Sequence, residues 1–161
     1  MCCNRKPLFG LLILALAVGA GLALDRISRA TPPTSQPTSR PAAKALVWHD
    51  NLDQALAAAR QDHSLVLVDV WADWCGWCHK LDRDTLSNAA VQEKLREFTL
   101  LKLDADKHQE VAQHYQVTGL PTTLVLTEKG EVVAAQPGYM PPEEYLKFLA
   151  AAKERAAEHA T

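Results

Sequence analysis

A valine-rich run, SLVLVDVWA at 64–72, ends three residues before the motif Cys75-Gly76-Trp77-Cys78-His79. A near-continuous apolar run of this length is typical of a strand that is covered on both faces of a sheet. The segment from Cys75 to about residue 83 suits a helix. The sequence therefore predicts a buried strand leading into a helix, with the cysteine pair at the junction.

Strand and helix patterns alternate along the rest of the chain. Helices are predicted at 50–61, 75–83, 88–97, 108–117 and 141–160, and strands at 64–72, 98–106 and on both sides of a tight turn at 128–130. Strands that alternate with helices and then end in a hairpin and a helix predict an α/β domain with a central mixed sheet flanked by helices.

The N-terminal part has a different composition. Arg5 and Lys6 precede an uncharged apolar run from Leu8 to Leu24, which as a helix would be about 25 Å long, the lower limit for crossing a bilayer core. A basic start followed by an apolar run is also the pattern of a secretory signal. Both interpretations predict membrane targeting and export of the domain.

A Pro-, Ser- and Thr-rich stretch follows the apolar run. Residues 30–43 lack any apolar period, so they predict an extended, disordered linker. The expected organisation is a signal or anchor at 1–29, a linker at 30–44 and one folded domain at 45–161, held outside the cytoplasm and tethered to the inner membrane by residues 8–24 if the signal is uncleaved.

Charge and cysteine content exclude some classes of protein. The formal net charge of −2 argues against nucleic acid as a partner, because phosphate binding needs a basic surface. The four cysteines are too few for a disulfide scaffold in a chain of this length. Cys2 and Cys3 precede the apolar run and are expected to lie on its other side.

Taken alone, the C-x-x-C-H motif is compatible with haem attachment, half of a zinc site or a redox-active dithiol. A c-type haem needs an apolar pocket and usually a second axial ligand, and zinc needs two further ligands at matching spacing. A dithiol needs only this setting, because a helix N-terminus stabilises the Cys75 thiolate and Cys78 follows almost one turn later. The dithiol is therefore favoured, with no metal and no cofactor.

The motifs VDVWADWCGWCHK, LKLDAD and GLPTTLVLTEKGEV occur in the order found in the thioredoxin superfamily. The chain most resembles the periplasmic C-terminal domain of DsbD-type thiol:disulfide interchange proteins over about residues 45–150. The resemblance implies a thioredoxin fold in which Cys75 is the nucleophile and Cys78 resolves the mixed disulfide, the two forming a redox disulfide.

The resemblance also implies roles around the cysteines. Leu120-Pro121 matches a cis-proline turn that binds the substrate backbone, and Asp69 matches a buried acid with Lys102 near it. The apolar neighbours of Asp69 on its strand favour a raised pKa and a role as proton acceptor for Cys78.

Aromatic residues surround the entry to the motif. Trp71 and Trp74 match flanking aromatic positions of the family, and Trp74, Gly76 and Trp77 are candidate substrate contacts. The Gly76-Trp77 pair differs from the family's usual dipeptides and supplies no positive charge. We therefore expect a reduction potential nearer thioredoxin's value of about −270 mV than DsbA's of about −120 mV.

These features predict a thiol–disulfide oxidoreductase that acts on protein disulfides outside the cytoplasm as a reductase or isomerase arm. It would receive electrons from a membrane-embedded donor. A non-catalytic client-binding module with the same fold, or a small c-type cytochrome, is the alternative.

Overall fold

A computed structural model describes residues 45–159 of the chain. The predicted signal or anchor, its helix and the linker all lie outside the described residues. The elements in chain order are β1 (Trp48–His49), α1 (Leu52–Asp62), β2 (Leu65–Trp71), α2 (Gly76–Leu81), a single π-helical turn (Asp82–Leu86), α3 (Ala89–Leu95), β3 (Phe98–Asp104), α4 (Gln109–His114), β4 (Thr122–Leu126), β5 (Val132–Pro137) and α5 (Pro142–His159).

The five strands form one mixed sheet in the order β1-β3-β2-β4-β5. β1 and β2 both run parallel to β3, whereas β4 is antiparallel to both β2 and β5. The strand that leads into the cysteine motif is thus the centre of the sheet. The mixed sheet predicted from the sequence is confirmed.

The two faces of the sheet bury separate apolar clusters, because successive side chains of a strand point to opposite faces. On β2, Leu67 packs with residues of α2, α3 and α5, which cover one face. Val66, Val68 and Val70 pack with residues of α1 and with the segment around α4 on the other face. Burial on both sides explains the near-continuous apolar run of this strand.

Local signals place several element boundaries where the sequence predicts them. The Asn51 side chain accepts a hydrogen bond from the Gln54 backbone N–H (3.1 Å) and caps α1. Asn88 caps α3 in the same way. α5 begins at Pro142, a position where a missing N–H costs nothing, and Gly130 turns the β4–β5 hairpin with a φ of 87°.

Two details differ from the sequence-based expectation. β1 has only two residues, too few for any periodicity, and it forms because Trp48 pairs with Leu100 at the edge of the sheet. The helix that starts at the cysteines is also shorter than expected. It gives way at Asp82 to a π-helical turn that continues to Leu86.

None of the helices between residues 45 and 159 is both long and apolar enough to span a bilayer.

Candidate active site

The cysteine pair lies where β2 ends and α2 begins. Cys75 is the N-cap of α2, and the backbone N–H of Cys78 donates a hydrogen bond to Cys75 Sγ (3.1 Å). The two residues form a disulfide with an S–S distance of 2.06 Å and Cα atoms 5.2 Å apart. Cys75 is 5% exposed and Cys78 is 2% exposed, so the disulfide sits just under the surface.

A cis peptide bond joins Leu120 to Pro121 directly before β4. Leu120 packs against the cluster that contains both cysteines, which places the proline turn beside the disulfide. Pro121 uses its carbonyl oxygen to accept a hydrogen bond from the Gly138 N–H (2.7 Å), which ties the turn to the end of β5. The cis bond implied by the family resemblance is therefore present.

A shallow groove of about 320 Å³ runs along this turn. It is lined by Trp77, Leu120, Pro121, Gly138 and Tyr139. The Trp77 and Tyr139 rings lie 5.9 Å apart. An apolar groove along an ordered turn that packs against the disulfide through Leu120 is suited to an extended peptide segment.

Two tryptophans at the motif are exposed despite their size. Trp74 is 72% exposed and Trp77 is 60% exposed. The Trp74 indole N–H donates a hydrogen bond to Asp106 Oδ2 (2.9 Å), which fixes the ring at the surface. Exposed, oriented aromatic rings are typical of surfaces that bind other proteins.

Asp69 is buried on the face of β2 that is covered by α2 and α5, with 2% exposure. Lys102 is its direct neighbour on β3 in the sheet register, and the ammonium group lies 3.3 Å from Asp69 Oδ2. Lys102 also pairs with Asp82 Oδ1 at 2.5 Å. The Lys102 ammonium group therefore forms ion pairs with two carboxylates, those of Asp69 and Asp82.

The pKa of Asp69 is raised from its ordinary value of 3.8 to about 6. Burial is the main cause, because it penalises the charged carboxylate. The charge of Lys102 opposes this rise, and the charge of Asp82 adds to it. A buried carboxyl that titrates near neutral pH can accept and return a proton under ordinary conditions.

The structure brings together most residues that the sequence singles out. Cys75, Cys78 and Leu120 are in one contact cluster with Trp71, and Asp69 pairs with Lys102. Gly76 faces open space, since a Cβ atom added there would meet nothing within 4 Å. The small size of this glycine therefore leaves the surface open above the motif.

Sequence reasoning missed three residues of this region. Asp82 lies four positions after Cys78, and this helical spacing is the signal that would have placed it on the side of the dithiol. Tyr139 and Asp106 lie far from the motif in the chain and reach it only through the fold. Among residues 45–159, no cluster of three or more His, Cys, Asp or Glu side chains is placed to hold a metal ion.

The mixed sheet, the Cys75–Cys78 disulfide at a helix start and the adjacent cis-proline turn define a thioredoxin-fold domain of the thiol–disulfide oxidoreductase class. Comparison with known proteins agrees with this class. The chain belongs to the thioredoxin-like family, because the family model described as "Thioredoxin-like domain" matches residues 52–153.

Individual relatives support the same family. The thiol:disulfide interchange protein DsbD of Vibrio vulnificus (strain CMCP6) is 34% identical over 106 residues, covering 62% of this chain and 18% of that protein. The thioredoxin of Bacillus subtilis (strain 168) is 40% identical over 91 residues, covering 56% of this chain and 84% of that protein. The chain thus spans under a fifth of this interchange protein but most of the thioredoxin.

A solved structure titled DsbH oxidoreductase is also similar. It has a TM-score of 0.65 and 25% sequence identity, and the match covers 78% of this chain and 96% of that one. The resemblance to the thioredoxin superfamily and to interchange proteins is therefore confirmed.

Proposed function

We propose that this protein reduces or isomerises disulfide bonds of other proteins outside the cytoplasm. The observation that carries the proposal is the position of Cys75. Its sulfur accepts a backbone hydrogen bond at the start of α2 and belongs to the cluster that Leu120 packs against, beside the apolar groove of Pro121. A thiolate at this sulfur would be stabilised and within reach of a peptide in the groove.

The proposed reaction has two steps. The Cys75 thiolate attacks one sulfur of the client disulfide, so that a mixed disulfide forms and the other client sulfur leaves as a thiolate. Cys78 then loses its proton to Asp69 and attacks Cys75 Sγ, which releases the second client thiolate. The client gains two electrons, and the protein ends as the Cys75–Cys78 disulfide.

Roles for the surrounding residues follow from their contacts. The groove beside Leu120 and Pro121 holds the client backbone, and the exposed rings of Trp74 and Trp77 contact its side chains. Lys102 pairs with Asp69. Its positive charge holds the pKa of the carboxyl below the value that burial alone would give.

Turnover in this direction needs a second dithiol that reduces the Cys75–Cys78 disulfide again. The apolar run at 8–24, its basic flank and the similarity to interchange proteins support a location in the periplasm, tethered to the inner membrane and supplied by a membrane-embedded electron donor. A Cys78→Ala variant should retain such a donor as a mixed disulfide through Cys75.

Reduction of insulin by dithiothreitol, followed by turbidity, tests the activity. The wild-type protein should accelerate it, and the Cys75→Ser and Cys78→Ser variants should both lose the acceleration. A protein that binds unfolded chains without accelerating the reduction would instead be a client-binding module.

The equilibrium constant of the Cys75–Cys78 couple against glutathione tests the direction. We expect a potential nearer about −270 mV than about −120 mV, because no positive charge lies between the cysteines. A value above about −150 mV would identify an oxidant and contradict the reductase assignment.

An alkaline phosphatase fusion after Ala45 tests the compartment. The enzyme needs an oxidising exterior to form its disulfides, so the fusion should be active in a bacterial host. A stable but inactive fusion would place the domain in the cytosol.

A further inference from the structure

Three polar atoms are buried without a hydrogen-bond partner among the described residues. They are Asp69 Oδ1, Thr123 Oγ1 and the phenol oxygen of Tyr145. A buried polar group that lacks a partner is costly and rare in native proteins. Three such atoms therefore call for an explanation, most of all if they lie together.

The sheet register and the packing of α5 place them on one side of the sheet. Asp69 on β2 is paired directly with Thr123 on β4. Leu67 and Val125 lie two residues away on the same strands and pack with Tyr145 in one buried cluster. Because side chains alternate along a strand, Asp69 and Thr123 face the same side as those two residues, under Tyr145.

The electrostatics agree with this placement. Burial, followed by the charge of Asp69, raises the pKa of Tyr145 well above its usual range, and a contact with the Thr123 hydroxyl opposes the rise. The Thr123 and Tyr145 hydroxyls are neighbours that do not hydrogen-bond to each other, so both are free to turn. Tyr145 remains a protonated donor at any pH at which the protein works.

The two oxygens of Asp69 have different surroundings. Oδ2 faces the Lys102 ammonium group on β3 at 3.3 Å, and that group also holds Asp82 of the π-helical turn. Oδ1 has no hydrogen-bond partner among the described residues. The hydroxyls of Thr123 and Tyr145, which also lack partners, lie on the same side of the sheet as Asp69.

We propose that Tyr145 and Thr123 are positioning residues that set the proton affinity of Asp69. When Asp69 is ionised, their hydroxyls turn to donate to Oδ1. When Asp69 is protonated, its own O–H donates to one of them. Only hydroxyl hydrogens and small side-chain rotations are involved. The inference rests on the proposed function in one respect, that Asp69 takes the proton of Cys78.

The direction of the effect follows from which protonation state the hydroxyls favour. A donor to a carboxylate stabilises the charged form and lowers its pKa. The hydroxyls therefore offset part of the rise that burial imposes on Asp69. Lys102 and Asp82 are the other charged groups that act on this carboxyl, and both are left unchanged in the test.

The test is a titration of the Asp69 carboxyl carbon by NMR in the oxidised full chain, assigned with Asp69→Asn. A single hydrogen bond to a charged group corresponds to about one pH unit. Tyr145→Phe should therefore raise the pKa of Asp69 by about one unit, and Thr123→Val should raise it by less. The matched control is Tyr115→Phe, which removes a phenol hydroxyl bonded to the Gly130 carbonyl (3.1 Å) and should leave Asp69 unchanged.

A pKa of Asp69 that is the same in Tyr145→Phe and Tyr115→Phe would overturn the proposal. A gain in the free energy of unfolding of Tyr145→Phe that is the same at every pH would also overturn it. The Tyr145 hydroxyl would then be buried without acting on Asp69. Kinetics separate this result from the proposed function. If Asp69 accepts the Cys78 proton, the pH midpoint of the resolving step moves with the measured pKa. A shifted pKa with an unmoved midpoint would contradict the catalytic role of Asp69, not its hydrogen bonding.

Discussion

Replacing Asp69 by Asn should change how the stability of the protein depends on pH. The folded state holds this carboxyl at a pKa of about 6 instead of 3.8, chiefly because of burial. Between these two values the folded state binds a proton that the unfolded chain has lost, so the free energy of unfolding falls as pH rises. A shift of about two units corresponds to about 3 kcal/mol, lost between about pH 3 and pH 7.

Asp69→Asn removes this titration while keeping the shape of the side chain. We expect the variant to gain about 3 kcal/mol relative to the wild type on going from about pH 3 to pH 7. Urea denaturation of both oxidised proteins at a series of pH values measures this difference. The other acidic groups are present in both proteins, so their contributions cancel. Parallel stability curves for the two proteins would refute the argument that Asp69 is protonated near neutral pH in the folded state.

The same variant bears on the reaction. Without a carboxylate to take up the Cys78 proton, the resolving step should slow more than the first attack. Single-turnover kinetics with a client disulfide separate the two steps, and equal slowing would return Asp69 to a structural role.

Two further substitutions test the site. Cys75→Ser should abolish rapid labelling of the reduced protein by iodoacetamide, whereas Cys78→Ser should preserve it, because Cys75 is the N-cap of α2 and Cys78 lies inside the helix. Rapid labelling that survives in Cys75→Ser would reverse the assignment. Trp77→Ala should lower kcat/KM for a protein disulfide by about tenfold, as removal of a well-placed aromatic contact does, and leave a small aromatic disulfide unaffected. The control is Val132→Ala, which trims an exposed side chain at the far end of β5, and an equal loss for both kinds of substrate would show that the ring supports the cysteines instead of the client.

Local patterns in the sequence were sufficient for most of the fold. The continuous apolar run of β2 predicted a strand covered on both faces, and the tight turn predicted at 128–130 is the β4–β5 hairpin in the structure, where Gly130 has a φ of 87°. β1 was missed because two residues carry no period. The π-helical turn after α2 was missed because its residues also fit an ordinary helix.

The orientation of Lys102 illustrates why the site was harder to predict than the fold. Alternation along β3 allows this side chain to face either water or the core, and its apolar neighbours on the strand do not decide between them. The decision comes from register, because Lys102 lies beside Asp69 on the adjacent strand and both must point to the same face. Register is a property of two strands and is absent from either one alone.

The hydroxyls near Asp69 are a second feature of the site that the sequence does not reveal. A threonine in a strand and a tyrosine in an amphipathic helix are ordinary residues at ordinary positions, so neither Thr123 nor Tyr145 stands out in the sequence. Both are fully buried, where Val and Phe would pack as well without leaving a hydroxyl to satisfy. We infer that their hydroxyls serve Asp69, which lies beside Thr123 on the neighbouring strand, on the side of the sheet that Tyr145 covers. Under the proposed mechanism, in which Asp69 takes up the proton of Cys78, two neutral donors at this place would favour the ionised carboxylate.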